Sequence, residues 1–378
     1  MFRRIVLLVM LISFTFNEQV YGSDICSITC SNDDIDTTTQ NKHVSRHQLK
    51  NKFLNRLYEK VKDFSRVDTA YIEPQKYNFT AMLQNTNTIE HYQLTSKNGH
   101  TIEFSPEPSW KLGPYFGWRW IFLGYTIDLA HLRGSDNRQD FDISLYSNQI
   151  GIDLFYRKTG DNYKIKRMSL DPDIDTHAMK NADFNGFKAS IKGFNLYYIF
   201  NHKKFSYPAA YSQSTIQRRS AGSPLIGIGY TKHGINIDWN KLDNIISDRL
   251  GPQITIEEVD SGMRFDKVEF YDYSISCGYA YNWVFAHNWL FDASLSLGLS
   301  YKRSTGDVHK GSISFRDFDF KNVNLDGVSR IGIVWNNMKW YFGSSAIFHT
   351  YNYEKQQFRT NTTFGSLNVY VGFNFGKR

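Results

Sequence analysis

The densest group of hydrogen-bonding side chains in this 378-residue sequence runs through Ser206, Ser212, Gln213, Ser214, Thr215, Gln217, Arg218, Arg219 and Ser220. Residues of these types can line a constriction or hold an anion, because arginine presents a rigid fork of donors that matches carboxylate or phosphate. The alternative is ordinary polar packing inside a barrel, whose interior is polar in any case. Other chemistry is poorly supported. Asp171, Asp173 and Asp175 alternate as at the start of a calcium loop, but Thr176 stands where the sharp-turn glycine belongs and Ala182 where the bidentate glutamate belongs. That stretch therefore reads as an outer loop in solvent. His349 shares a row with Ser345 and Tyr351 and has no assignable carboxylate partner. Cys277, the one candidate nucleophile on an outward row, has no base beside it. Neither a nucleophile elbow, a zinc-protease helix nor a phosphate-cradling loop is present. The expectation is a non-enzymatic protein with no catalytic residues, cofactor or metal.

The elements that carry these residues are strands. From Tyr271 to Trp283 the odd positions are Tyr271, Tyr273, Ile275, Cys277, Tyr279, Tyr281 and Trp283, and the even ones are Asp272, Ser274, Ser276, Gly278, Ala280 and Asn282. This two-residue period predicts a strand with one apolar face. Trp289 to Tyr301 repeats it across the short link Phe285-Ala286-His287-Asn288, which predicts a hairpin. Leu367 to Phe375 is a third case. Less regular runs cover 141–146, 150–156, 188–200, 225–230, 328–335 and 340–351. Asp238 to Leu250 reads as a short amphipathic helix in a loop, and 156–167, centred on Thr159-Gly160-Asp161-Asn162, as a projecting hairpin.

The start of the chain differs. Arg3 and Arg4 precede an apolar run from Ile5 to Phe16, and Val20 and Gly22 are suitable small residues for cleavage after Gly22, so 1–22 is read as a secretory signal peptide. Residues 23–66 form a periplasmic leader with an amphipathic helix over 44–64. Leu49, Phe53, Leu57 and Val61 share one face of it, and Arg46, Lys50, Lys52, Arg56, Lys60 and Lys62 occupy the others. This helix is solvated, or else meets anionic headgroups or a periplasmic partner. Residues 67–378 form the remaining domain. With 44 Lys+Arg against 37 Asp+Glu the net charge is only +7, which does not imply nucleic acid, and 29 Phe, 24 Tyr and 8 Trp exclude a disordered chain. A mean hydropathy of -0.46 excludes a helical membrane protein. Three cysteines, Cys26, Cys30 and Cys277, are too few for a disulfide scaffold.

An apolar face opposite a row of Gly, Ser, Asn and Asp suits a lipid-facing barrel better than a soluble sandwich, because the second row would make a poor hydrophobic core. The apolar rows also end in aromatics. Trp283, Trp289, Trp335 and Trp340 are placed at a membrane interface. The expected fold is therefore an all-β, antiparallel transmembrane outer-membrane β-barrel of about twelve strands, within a range of ten to fourteen.

Three segments carry a family resemblance: Tyr71-Ile72-Glu73-Pro74 with 76–80, Gly113-Pro114-Tyr115-Phe116-Gly117-Trp118 continuing to Tyr125, and Phe205-Ser206-Tyr207-Pro208-Ala209-Ala210-Tyr211 with Gln217-Arg218-Arg219-Ser220. They resemble an uncharacterised domain family of exported Bacteroidetes proteins over residues 67 to 378. The resemblance implies outer-membrane barrels of Gram-negative gut bacteria, with no assigned activity. The expected role is a small pore or cell-envelope scaffold. A barrel enzyme acting on envelope lipid and a soluble periplasmic ligand-binding barrel are the alternatives. Expected partners are outer-membrane lipid and the barrel-assembly machinery.

Overall fold

The computed structural model describes residues 67–107, 109–118, 121–124, 127–128, 139–160, 162–256, 260, 263–265, 267–304, 323–354 and 358–377. The chain divides into two units, Met1–Arg66 and Val67–Arg378. The expected signal peptide, Cys26, Cys30 and the helix expected over 44–64 lie outside the described residues, as do much of 129–139 and nearly all of 303–322.

The second unit is built from β1 (Ile72–Pro74), β2 (Tyr77–Ser96), β3 (Thr101–Pro106), β4 (Ser109–Trp118), β5 (Ile121–Gly124), β6 (Ile127–Asp128), β7 (Gln139–Tyr146), β8 (Ile150–Lys158), β9 (Tyr163–Ser169), β10 (Ala182–Asp183), β11 (Phe187–Ile199), α1 (Tyr207–Tyr211), β12 (Thr215–Gln217), β13 (Ala221–Ile237), α2 (Trp239–Leu250), β14 (Lys267–Ala286), β15 (Trp289–Ser304), β16 (Val323–Asn336), β17 (Trp340–Glu354) and β18 (Phe358–Lys377). A single curled sheet runs β10-β9-β3-β2-β18-β17-β16-β15-β14-β13-β11-β8-β7, with β4 pairing β2 and carrying β5 and β6. Every ladder in it is antiparallel.

The registers define two ends. Tight turns at 147–149, 287–288 and 337–339 lie at one, together with both ends of the unit and the 200–220 connection, and the β13–β14 and β15–β16 connections lie at the other. Below, these are the turn end and the loop end. Near the turn end the wall is twelve strands across, with β5 and β6 taken as one interrupted strand. The chain passes from β8 to β9 without reversing, so the strand that pairs with β11 below pairs with β3 above. This shared strand joins the two ends of the sheet into a barrel. It also corrects the hairpin expected over 156–167. Thr159 Oγ1 accepts from the Ala189 amide at 2.8 Å and the Asn162 carbonyl from the Glu107 amide at 3.1 Å, so Thr159 prolongs the ladder on β11 and Asn162 begins the one on β3.

Two-residue alternation places the side chains. On β14, Ile275 is 67% exposed and Asp272 1%, three residues apart on opposite faces. The expected hairpin pairs Tyr273 with Tyr301 and Trp283 with Phe291. Its turn uses Asn288 at φ 62°, and the β16–β17 turn uses Met338 at φ 79°. Met338 is held in that left-handed conformation by the Asn336 carboxamide, which accepts its amide at 2.8 Å. Outside the wall, exposed Leu, Ile, Val and aromatic side chains form a band around the sheet. Along β14 its aromatic limits, Tyr273 and Trp283, are ten residues apart. At a rise of about 3.4 Å and a tilt of roughly 40° that is about 25 Å, the height of a lipid-facing band. Among the described residues no helix is long and apolar enough to cross a membrane.

Candidate functional site

The site to consider is the lumen, which the chain fills at three levels. At the turn end the segment between β11 and β13 folds inward. Pro208 opens α1, where its missing amide costs nothing; Ala209 and Ala210 are buried against inward-facing Leu290, Val334, Tyr341 and Tyr370, and Tyr207 is buried with Tyr197, Ile199 and Phe205. Wall strands hydrogen-bond this plug directly. Asn282 of β14 donates to the Ser206 carbonyl at 2.9 Å and to Gln217 Oε1 at 3.0 Å. Asn336 of β16 donates to Gln213 Oε1 at 3.0 Å, and Gln213 donates to the Tyr370 hydroxyl of β18 at 3.1 Å. Tyr211 donates to Asp292 of β15 at 2.5 Å.

The polar segment that sequence reasoning singled out is thus a plug, where the sequence had suggested a strand-like region. Polar side chains at 206–220 have the composition of a wall strand's inner row, but the Pro208 helix turn breaks the two-residue period. Ser206, Gln213 and Gln217 are buried within it; Ser206 also meets Thr215 at 2.8 Å, and Ser212 meets Ser214 at 3.2 Å. Arg218 and Arg219 sit elsewhere, at the rim. Arg218 pairs with Glu73 of β1 at 2.5 Å and donates to Asn288 at 2.9 Å, while exposed Arg219 lies over the Tyr71 ring. β1 pairs with β12, so the start of the unit is stitched to the plug. Glu73 is held below the usual carboxylate range by its hydrogen bond to Lys76, against partial burial, and by Arg218.

In the middle of the lumen lies a belt of buried charge that the sequence reading missed. Arg330 of β16 reaches across to Asp153 of β8, which also accepts from Ser144 at 2.7 Å. The guanidinium lies 4.7 Å from the Tyr197 ring. Arg157 of β8 pairs with Asp142 at 2.5 Å and Glu90 of β2 at 3.7 Å, and donates to the Gly365 carbonyl of β18 at 3.3 Å. Lys302 of β15 sits between Asp326 at 2.7 Å and Asp272 at 3.4 Å. The available signal was a single charge at an inward position of an apolar strand, as Arg330 is between Val328 and Val334. His349 is buried here, stacked on Phe364 at 5.1 Å. Of these pairs, Arg330–Asp153 crosses the lumen from β16 to β8.

At the loop end the lumen is apolar. α2, capped by Asp238 accepting from the Lys241 amide at 3.2 Å, buries Trp239, Leu242 and Ile246 at helical spacing. They join Phe104, Phe184, Phe187, Phe270, Tyr353 and Phe358 in one core, with Phe270 and Tyr353 stacked at 4.2 Å. Above it His100, in the β2–β3 turn, bonds Asp260 at 2.9 Å and Asp171 at 3.0 Å. Burial pulls this imidazole's pKa down, but the two carboxylates outweigh burial and raise it. Asp171 is thereby engaged with a histidine, and among the described residues no group of His, Cys, Asp or Glu gathers as a metal site. Cys277 is a free thiol on the outward face. Trp283, Trp289, Trp335 and Trp340 all lie on the outward face near the turn end, where Trp289 and Trp335 both pack on Phe342.

Residues 66–375 match the model of a domain of unknown function, DUF4421. No curated protein matches the chain. Among solved structures, the outer-membrane protease OmpT of Escherichia coli aligns at 6% identity with a TM-score of 0.33, covering 79% of this chain and 97% of that one. The toluene transporter TodX of P. putida aligns at 7% identity and 0.22, covering 80% and 91%. The outer membrane protein OprG of Pseudomonas aeruginosa aligns at 10% identity and 0.20, covering 80% and 98%.

Proposed function

The chain belongs to the DUF4421 family of domains of unknown function, and we propose that it is an outer-membrane barrel whose lumen is stoppered by its own chain, acting as a non-enzymatic envelope scaffold. The observation that carries this reading is the pair of stoppers, the 201–220 plug at the turn end and the α2-capped core at the loop end, with the Arg330–Asp153 and Arg157–Glu90 pairs between them. A solute pathway needs continuous hydrated space, whereas these levels are filled by aromatic rings and paired charges. The apolar band supports contact with membrane lipid. The signal peptide, the basic 44–64 helix as a contact for headgroups or a periplasmic partner, and delivery by the barrel-assembly machinery belong to the same proposal.

An enzyme acting on envelope lipid would be favoured by the 206–220 group at the bilayer edge. Its buried members Ser206, Gln213 and Gln217 are instead hydrogen-bonded inside the wall, which supports the scaffold. Replacing 205–214 by a flexible linker in protein shown to fold by a heat-dependent gel shift tests the plug. Wild-type protein is expected to remain silent in planar bilayers and the linker variant to gain solute leakage or conductance. Discrete conductance from the wild type would reverse the reading to a pore.

A further inference from the structure

Outward residues at the loop end fall into ordered rows. One row, across β8, β11, β13, β14 and β15, is Leu154, Phe194, Tyr230, Tyr273 and Tyr301. Its rings touch, with Phe194 and Tyr230 6.2 Å apart and Tyr230 and Tyr273 5.3 Å apart. The row immediately beyond, on the same strands, is Tyr156, Lys192, Lys232, Tyr271 and Arg303. Lys158, Lys188 and Lys267 stand outward of that. Glu269 offsets part of this charge, meeting Lys232 at 3.0 Å and Lys267 at 2.6 Å. Among the described residues no carboxylate pairs with Lys192 or Arg303.

Lys192 stands directly opposite Lys232 across the β11–β13 ladder. Like charges so placed destabilise a sheet unless an anion lies between them. Among the described residues this row of charge is also concentrated on one side of the barrel. Beyond the apolar band on β17, β18 and β2 the corresponding outward row is neutral, Asn352, Asn361 and Gln93, and the next contains the Glu354–Arg359 pair at 3.4 Å. An aromatic row marks the depth at which hydrocarbon gives way to headgroups, and cations one step beyond it meet phosphate.

We propose that the outward face of β11, β13, β14 and β15 at the loop end binds an anionic lipid through its phosphate, with Lys192 and Lys232 straddling the phosphate, Arg303 beside it and the acyl chains lying on Ile228, Ile275 and Leu299. This rests on the membrane-spanning reading above. The test uses the folded full-length protein in phosphatidylcholine vesicles doped with spin-labelled phosphatidic acid or spin-labelled phosphatidylcholine. A motionally restricted signal from either lipid establishes that the barrel meets the bilayer; its absence with both would overturn the spanning reading and this proposal with it.

Given insertion, wild-type protein should prefer phosphatidic acid, and salt should weaken the preference. Each surface cation near a headgroup contributes about fivefold. The K192Q/K232Q/R303Q variant should lose on the order of a hundredfold in preference, three such factors multiplied, while K339Q/K377Q, at the other end of the wall, should lose none. Single K192Q and R303Q variants serve if the triple variant fails the gel-shift criterion for folding. Equal association of both lipids with the inserted wild type, or unchanged preference in the row variants, would overturn the proposal.

Discussion

Arg330 and Asp153 face each other in the lumen with almost no access to water. Removing one partner of such a pair strands the other charge at a cost of about 3–5 kcal/mol, so Arg330→Ala and Asp153→Asn should each lower the urea midpoint of unfolding sharply. The double variant should cost clearly less than the sum of the two, because the second change removes the stranded charge. Additive losses would mean that the two side chains act independently. His100 gives the pH dependence. Its pKa is raised by Asp171 and Asp260 against burial, so its contribution is fully present below the unfolded value of about 6.5 and is lost as pH rises through the folded value. Proteolysis at the loop end should therefore accelerate with rising pH above about 6.5, and His100→Gln should remove that dependence. A wild-type profile flat from acid to alkaline pH would contradict the assignment. Neither feature was legible in the sequence, since burial and partners 177 and 160 residues away are decided by closure of the sheet.

Strands were the most legible elements. Where the two-residue period was clean, as in 271–283 and 289–301, strand, face and hairpin partner all followed from it. α2 was legible for the corresponding reason, an apolar stripe at helical spacing behind a capping aspartate. The inward plug was not, because α1 has five residues and β12 three, too few to set a period. The β8–β9 passage misled because Thr-Gly-Asp-Asn is turn chemistry locally, and only the partners on β11 and β3 keep the strand straight. The plug yields a prediction at this scale. Gln217 accepts from the Ser206 amide and donates to the Lys204 and Arg219 carbonyls, so Gln217→Ala leaves several buried groups unpaired. A cysteine introduced at buried Ala210 should react with a polar thiol reagent appreciably faster in that background; an unchanged rate would mean that the loop is held elsewhere.

As a whole, the described unit is a barrel with a lipid-height apolar band outside and a closed interior. The band was readable from composition and alternation, as was a strand number of about twelve, which the turn-end half of the wall has; the narrower loop-end half was not, because it depends on one strand serving two ladders. On the proposed reading, closure of the lumen is what separates a scaffold from a channel. The decisive measurement is planar-bilayer conductance of wild-type protein already proved folded by its heat-dependent gel shift. A stoppered lumen predicts an unbroken baseline at all voltages that leave the protein folded. Discrete, reproducible steps that change when Gln213 or Arg330 is replaced would mean that water and ions pass the plug and the charged belt, and the scaffold reading would fall.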